Sequence, residues 1–320
     1  MAKRLKIRKK VKVVIVLIIF GIIATYAGIN IYKKEMYKKT YEYKLINHGY
    51  TEKETELLLK NFKKDKERDF FLNNEVDKNY IKILKEKYYI PKNYFKYIEY
   101  LGNNPTLELE DIIRTINIHR DQEFYKIKLT ADTSKNELML VNKYYLLNDY
   151  TPDDLVYISQ KYAWGDKNSK QIRKVCYDAF IDMWESAKED GYQLMINSAY
   201  RKPEDQETIY NNYKNKRGEK YADSIAARPG SSEHETGLAL DIFSIKNTNK
   251  NTFKDSPEAA WLKDNAHNFG FILRYPLEKE NITGYNYESW HYRYVGKKAA
   301  KYCYDNDITF DEYYAYFVEK

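Results

Sequence analysis

A run of twenty uncharged residues near the N-terminus, Val13–Tyr32, is the feature that most restricts how this chain can fold. At 1.5 Å per residue, a helix of this length spans about 30 Å, which is the thickness of the hydrocarbon core of a bilayer. A cleaved signal peptide is the competing interpretation, but the run is long for one and no A-x-A site follows it. We therefore expect an uncleaved transmembrane anchor at residues 13–32.

The charges around this segment predict its orientation. Basic residues stay on the cytoplasmic side of a spanning helix, so we expect a cytoplasmic tail at 1–12, a single pass through the cell membrane and an extracellular remainder. The tail contains seven basic residues and no acidic one: Lys3, Arg4, Lys6, Arg8, Lys9, Lys10 and Lys12. Because the net charge of the whole chain is also +7, the rest of the chain is neutral overall and offers no basic surface for nucleic acid.

Two parts are expected beyond the anchor. A linker and helical segment covers residues 33–150, and a catalytic domain covers residues 151–320. In the first part, Thr51 and Glu54 form a capping box ahead of an apolar helical pattern. Apolar spacing predicts further short helices at 79–87, 92–101 and 106–117.

The second part mixes strand and helix patterns without regular βαβ alternation. Thr151 followed by Pro152 predicts a helix start, and an amphipathic pattern predicts a long helix at 168–190. Strand patterns are found at 192–196 and 238–243. The mixture predicts an α+β fold with a mainly antiparallel central sheet.

Two of the five histidines lie in sequence contexts that suit metal binding. His234, Asp241 and His291 offer imidazole and carboxylate donors, and a catalytic zinc site keeps three such ligands and an open place for water. Gly237 lets the chain turn after His234, so that Asp241 can return toward the same point from the strand that follows. The H-E-x-x-H helix is absent, because Leu238 stands where its second histidine would be. A single histidine is usually an ordinary polar residue, but the three together predict one zinc ion per chain.

Longer stretches around these residues resemble the VanY-type D,D-carboxypeptidases of the LAS group of zinc metallopeptidases. That family shares the pattern S-x-H-x-x-G-x-A-x-D followed by E-x-W-H, and both parts are present, at Ser232–Asp241 and Glu288–His291. The likeness also includes Ser198–Arg201 with Gln206, and it extends over about residues 150–305. The resemblance implies a LAS-type peptidase domain with an antiparallel central sheet. It does not cover the helical segment.

The resemblance also implies a role for each matched residue. Glu288 would be the general base, and Arg201 would hold either the substrate carboxylate or the oxyanion, unless it only forms a surface ion pair with Glu204 or Asp205. Because an offset of three residues changes the face of a strand, we expect Glu288 to lie before the strand of His291 or at a bulge. The implied zinc ligands are His234, Asp241 and His291. The implied substrate-binding residues are Ser232, Gln206 and Trp290.

These roles imply an extracellular zinc carboxypeptidase that removes the C-terminal D-Ala of peptidoglycan stem peptides. The same chemistry suits an L,D-carboxypeptidase, a D,D-dipeptidase or an endopeptidase, and the sequence does not separate them. A different class is a non-catalytic wall-binding module with structural zinc, as in hedgehog-like LAS domains, but the presence of Glu288 and Arg201 favours an enzyme. The expected partners are stem peptides and the lipid bilayer, with no nucleic acid and no obligate protein partner.

Overall fold

The computed structural model describes residues 9–165 and 170–319, and the chain forms two compact units, Met1–Pro91 and Lys92–Lys320. Residues 1–8 of the predicted basic tail lie outside the described residues. The same is true of the first two residues of the helix predicted at 168–190.

The N-terminal unit is helical. It contains α1 (Lys9–Lys38), α2 (Tyr41–His48), α3 (Glu52–Asn61), α4 (Asp65–Asn73) and α5 (Lys78–Ile83). Helix α1 is long and apolar enough to cross a membrane, a test that a signal sequence near the N-terminus also passes. Thr51 and Glu54 form the predicted capping box at the start of α3. Phe71 packs against the rings of Tyr50 and Phe62, which gives the short helices a small aromatic core.

The C-terminal unit combines helices with short strands. Its helices are α6 (Tyr94–Asn103), α7 (Leu109–Asn117), α8 (Lys174–Glu189), α9 (Pro203–Arg217), α10 (Glu219–Ile225), α11 (Lys250–Phe253), α12 (Pro257–Asn265), α13 (Glu280–Thr283), α14 (Lys297–Asp305) and α15 (Phe310–Phe317). Its strands are β1 (Leu129–Thr130), β2 (Tyr145–Leu146), β3 (Leu155–Tyr157), β4 (Gln171–Arg173), β5 (Leu194–Ser198), β6 (Ala239–Ser244), β7 (Phe271–Leu273) and β8 (His291–Tyr294). The chain also forms short 3-10 helices at Pro91–Asn93, Thr133–Leu138, Glu233–Thr236 and Ala266–Phe269.

A four-stranded antiparallel sheet in the order β5-β6-β8-β7 lies at the centre of this unit. Every residue of β6 is buried. Helix α8 contributes Phe180 and Met183 to the core that includes β6, and its Trp184 donates a hydrogen bond from Nε1 to the carbonyl oxygen of Leu194 in β5 (2.9 Å). The α+β fold with an antiparallel central sheet is therefore confirmed.

Two short strands stand where the sequence predicted helical residues. Thr151 does not begin a helix; instead β3 pairs antiparallel with β4, and α8 begins only at Lys174. Ile172 is fully buried in β4, and its spacing from the apolar residues of α8 also fits a helix. A three-residue strand is too short to show a periodic pattern, so the helical spacing alone placed the start of α8 too early in the sequence.

The structure divides the chain before the predicted domain boundary at 151. Residues 92–150 belong to the C-terminal unit, and Met139, Val141 and Tyr144 are buried in its hydrophobic core. Asn142 donates a hydrogen bond to Asp311 of α15 over 2.7 Å, although 169 residues separate them in sequence. This stretch therefore helps to hold the unit that carries the central sheet.

Gly237 forms the turn that leads into β6. Its φ is +67°, and a Cβ there would lie 2.9 Å from Cγ of Arg173 and 3.1 Å from Cδ2 of Leu155. The side chain of Arg173 is held in place, because its Nε donates a hydrogen bond to Asp154 over 2.7 Å. A methyl group at this position therefore meets both an unfavourable backbone angle and fixed neighbours.

We predict that Gly237→Ala destabilises the protein more than Gly191→Ala does. Gly191 has a φ of +91° and no atom within 4 Å of a Cβ, so its substitution carries only the left-handed backbone penalty of about 1 kcal/mol. Gly237→Ala adds steric overlap, and we expect its melting temperature to lie several degrees lower, since about 1 kcal/mol shifts Tm by about 2–4 °C at this size. Equal melting temperatures for the two variants would contradict this role of Gly237.

Candidate active site

Pairing of β6 with β8 brings three donor side chains together. Asp241 in β6 lies opposite His291, the first residue of β8, and His234 approaches from the 3-10 helix Glu233–Thr236. Oδ1 of Asp241 is 3.4 Å from Nε2 of His234 and 3.6 Å from Nδ1 of His291. One donor atom from each residue lies within 4.8 Å of the others, and all three residues are buried. This is a group of side chains that can hold a metal ion.

The residues predicted from the motifs surround one cleft. The side chains that line it include all eight of them: Arg201, Gln206, Ser232, His234, Asp241, Glu288, Trp290 and His291. The helices α9 and α10 form another wall, with Ile209, Tyr213 and Ile225. The structure therefore brings every predicted site residue to a single location.

Glu288 lies ahead of β8, separated from it by a turn, as the strand geometry predicts. Its backbone N–H donates to the carbonyl oxygen of Tyr275 (3.0 Å), and its carbonyl oxygen accepts from the backbone N–H of His291 (3.2 Å). The turn brings Oε2 of Glu288 to 3.5 Å from Nδ1 of His291. Burial raises the pKa of Glu288 to about 7, although the nearby His291 opposes the rise. A carboxylate with such a pKa can both take up and release a proton near neutral pH.

The pKa shifts of the three donors differ in direction. Burial, with the charge of Arg201, lowers the pKa of His234 to about 4. Burial alone would raise the pKa of Asp241, but the neighbouring His234 holds it well below its ordinary value. Burial also opposes protonation of His291, yet the nearby carboxylates of Asp241 and Glu233 raise its pKa to about 9. His234 is therefore held neutral, with a lone pair available for a metal, while a positive charge is favoured between Asp241 and His291.

Arg201 is held at the wall of the cleft by side chains of β5 and α9. Its Nη1 donates to Oε1 of Gln206 (2.6 Å) and its Nη2 to Oγ of Ser198 (2.9 Å). It forms no ion pair with Glu204 or Asp205 in the part of the chain that the structure describes. A guanidinium group has five N–H donors, so three remain for an anion in the cleft.

The remaining predicted residues form the sides of the same cleft. Ser232 is buried and stands immediately before the 3-10 helix that carries His234. The ring of Trp290 stacks on Phe243, with the centroids 6.2 Å apart and the planes at 13°. Nζ of Lys250 lies 4.8 Å from the centroid of Trp290 and is a second cationic group that lines the cleft.

Sequence analysis missed Glu233, a fully buried residue next to the first predicted ligand. Its Oε2 lies 3.4 Å from Nε2 of His291. Its Oε1 accepts hydrogen bonds from Nε of Arg274 (2.6 Å) and Nη1 of Arg293 (3.0 Å), and the side chains of these three charged residues are inaccessible to solvent. Buried charged residues are rare, and the motif leaves this position open, so no sequence signal pointed to Glu233.

An α+β domain with a His-Asp-His donor set, and with a carboxylate of near-neutral pKa beside it, has the arrangement of a metallopeptidase. Comparison with known proteins identifies the family. The family described as VanY, D-alanyl-D-alanine carboxypeptidase, matches residues 169–297. A relative from Bacillus subtilis (strain 168), named "Putative carboxypeptidase YodJ", is 45% identical over 189 residues, which cover 58% of this chain and 69% of that protein.

Two solved structures are similar to the same part of the chain. The LdcB LD-carboxypeptidase has 43% identity and a TM-score of 0.55, with 61% of this chain and 94% of that chain covered. VanYB in complex with D-Alanine-D-Alanine has 32% identity and a TM-score of 0.50, with 57% of this chain and 99% of that chain covered. The chain therefore belongs to the VanY family of D-alanyl-D-alanine carboxypeptidases, and it is a peptide hydrolase of that type.

Proposed function

We propose that this protein is a zinc-dependent carboxypeptidase that removes the C-terminal D-Ala from peptidoglycan stem peptides outside the cell. The observation that carries the proposal is the convergence of His234, Asp241 and His291 on one point of a cleft, with Glu288 3.5 Å from His291. Membership of the VanY family supports the reaction. The two solved relatives support the substrate, because the LdcB structure concerns peptidoglycan recognition and the VanYB structure is a complex with D-Alanine-D-Alanine.

The donor set fits a zinc ion. Oδ1 of Asp241 is buried without a hydrogen-bond partner, which is costly unless a cation neutralises it. Nδ1 of His234 is hydrogen-bonded to the carbonyl oxygen of Ala199 (2.7 Å), so its Nε2 is left to face Asp241. Two imidazole nitrogens and one carboxylate oxygen form the three-ligand set of catalytic zinc sites. We therefore assign one zinc ion to His234, Asp241 and His291.

Each side chain then has a definite task. Zinc, when bound, would lower the pKa of a water molecule to about 7 and polarise the peptide carbonyl. Glu288 takes the proton from the attacking water on its carboxylate and later delivers it to the leaving amine. Arg201 uses its free N–H groups to bind an anion, which is either the terminal carboxylate of the peptide or the oxyanion that forms during attack. Gln206 and Ser232 position these groups, and Trp290 forms a wall for the peptide.

An L,D-carboxypeptidase acting on tetrapeptide stems is the second candidate. The observation that favours it is the higher identity to the LdcB LD-carboxypeptidase, 43%, than to VanYB, 32%. Mass spectrometry of defined pentapeptide and tetrapeptide muropeptides after incubation with the full-length chain in detergent separates the two. Loss of D-Ala from pentapeptides supports the D,D-activity, and loss only from tetrapeptides supports the L,D-activity. A dipeptide product or cleaved cross-links would instead indicate a dipeptidase or an endopeptidase.

The cell location is part of the proposal. We assign α1 as an uncleaved single-pass anchor with a cytoplasmic N-terminus, because the basic residues lie ahead of the apolar run. The stem peptides would then be within reach of the cleft on the outer face of the membrane. Protease treatment of intact cells should remove residues beyond the anchor, and full protection of these residues would reverse the orientation.

We predict that the full-length chain in detergent binds about one zinc ion, and that His234→Ala, Asp241→Ala and His291→Ala each lower the zinc content sharply. Removing one of three ligands leaves too few donors for tight binding. Metal analysis after gentle purification gives the measurement. His267→Ala is the matched control, because His267 stacks on Tyr304 outside the cleft, and it should keep the metal. A wild-type chain that takes up no zinc on titration would remove the basis of the assignment.

We predict that Glu288→Gln lowers kcat by about 10²-fold or more and leaves zinc binding intact. The amide keeps the size of the side chain but cannot take the proton, and general acid-base groups contribute in this range. Turnover of a peptide that ends in D-Ala-D-Ala gives the rate, and metal analysis gives the occupancy. Glu278→Gln, at an exposed position outside the cleft, should behave as wild type. A Glu288→Gln enzyme with unchanged turnover would refute the mechanism.

We predict that Arg201→Ala distinguishes the two anions that Arg201 can bind. If it holds the terminal carboxylate, KM rises, and a C-terminally amidated peptide is a poor substrate whose hydrolysis hardly responds to the substitution. If it stabilises the oxyanion, kcat falls for both the acid and the amide. Steady-state kinetics on the two peptides give the answer. Lys202→Ala, its exposed neighbour, is the control, and an Arg201→Ala enzyme as active as this control on both peptides would exclude Arg201 from the site.

A further inference from the structure

The two oxygens of the Glu233 carboxylate have different partners. Oε1 accepts from two buried guanidinium groups, Nε of Arg274 at 2.6 Å and Nη1 of Arg293 at 3.0 Å. Oε2 faces the imidazole of His291, 3.4 Å from Nε2. Neutralising the two arginines therefore occupies one oxygen, and the other is left for the histidine. A residue that served only as a counterion would not need this second contact.

The opposite edge of the His291 ring faces Asp241 and Glu288 of the proposed zinc site. Its Nδ1 is 3.6 Å from Oδ1 of Asp241 and 3.5 Å from Oε2 of Glu288. A neutral imidazole carries one N–H, and the nitrogen without a proton is the one that can bind a metal. An anionic acceptor at Nε2 keeps the proton on that nitrogen and leaves the lone pair on Nδ1. The ring is thus held in the tautomer that its position in the site requires.

Glu233 is itself held by a network that reaches the C-terminal helix. Nη1 of Arg274 donates to Oδ2 of Asp311 in α15 (2.7 Å), and Nη2 donates to Oδ1 (3.2 Å). Nη2 of Arg293 donates to the carbonyl oxygens of Glu137 (3.1 Å) and Met139 (2.7 Å). Both arginines therefore have partners besides Glu233, and Arg293 holds Oε1 of Glu233 independently of Asp311.

We propose that Glu233 is a positioning residue that fixes His291 in the Nε2-protonated tautomer, so that Nδ1 is the donor for the zinc ion. The inference rests on the zinc assignment made above. Carboxylates that accept the second N–H of a metal-binding histidine commonly contribute about 10–100-fold to metal affinity. The same range is expected for this contact.

Glu233→Asp is the decisive variant. Shortening the side chain by one methylene keeps a negative charge near Arg274 and Arg293 but withdraws the carboxylate from His291. Competition with a zinc chelator, on the full-length chain in detergent, should show an increase in Kd of at least tenfold. If Glu233 serves only to neutralise the two arginines, Glu233→Asp binds zinc as tightly as wild type, and the proposal is overturned.

Asp311→Asn is the matched control for lost stability. It removes the charged partner of Arg274 without touching His291, so it should lower the melting temperature yet leave the zinc Kd within about twofold of wild type. An equal loss of affinity in Asp311→Asn and Glu233→Asp would assign the effect to general destabilisation and contradict the proposal. A wild-type chain that binds no zinc would instead contradict the proposed function, because the tautomer can be measured without metal.

The tautomer is therefore the second readout. The chain has five histidines, so selective ¹⁵N labelling of histidine, with His291→Gln to assign its signals, gives a spectrum that can be resolved. In metal-free wild type, at a pH above about 9 where the ring of His291 is neutral, its ¹⁵N shifts should report a proton on Nε2. Glu233→Asp should move them toward a mixture of tautomers, while Asp311→Asn should leave them unchanged. A neutral wild-type ring with its proton on Nδ1 and none on Nε2 would overturn the assignment.

Discussion

The backbone pairing of β6 with β8 is the constraint on which the rest of the site depends. It sets Asp241 directly opposite His291, and a cross-strand pair in an antiparallel sheet keeps its side chains within about 5 Å of each other. A slip of one residue would turn Asp241 to the other face and abolish the donor set. The turn at Gly237 then fixes where His234 stands relative to β6, and the turn before β8 brings Glu288 to the same side as His291. Three local geometries thus produce one site.

Burial shifts the pKa values of the site residues and also lowers the stability of the fold around them. The same exclusion of water that raises the pKa of Glu288 to about 7 leaves Oδ1 of Asp241 without a partner. An unpaired polar atom in the interior destabilises a fold by about 1–3 kcal/mol, and by more when the group is charged. A bound cation offsets this term only when the site is assembled. Metal occupancy and stability of the sheet are therefore linked, because the ion binds the folded arrangement and not the unfolded chain.

The sequence predicted the parts of this arrangement that follow from residue type and short spacing. Donor chemistry and the glycine turn pointed to His234, Asp241 and His291, and strand alternation placed Glu288 ahead of β8. Glu233 escaped prediction because its role depends on contacts with Arg274 and Arg293, which are distant in sequence and buried only after folding. The strands β3 and β4 escaped because three residues show no period. Residues 92–150 share the core of the C-terminal unit through long-range packing, which no local pattern reveals.

Two different parts of the structure surround the cleft, and this bears on how the family can contain enzymes with different peptide preferences. The three donor residues, His234, Asp241 and His291, belong to the central sheet and to the segments that join its strands. The opposite wall belongs to α9 and α10, which have a small core of their own, formed by Tyr210, Ala222 and Ala226. This core is tied by Asp223, which accepts hydrogen bonds from Arg228 (2.8 Å) and from Oη of Tyr210 (2.9 Å). Because the helical wall has separate packing, a substitution on its cleft side changes the space beside the ligands and leaves the β6–β8 register untouched.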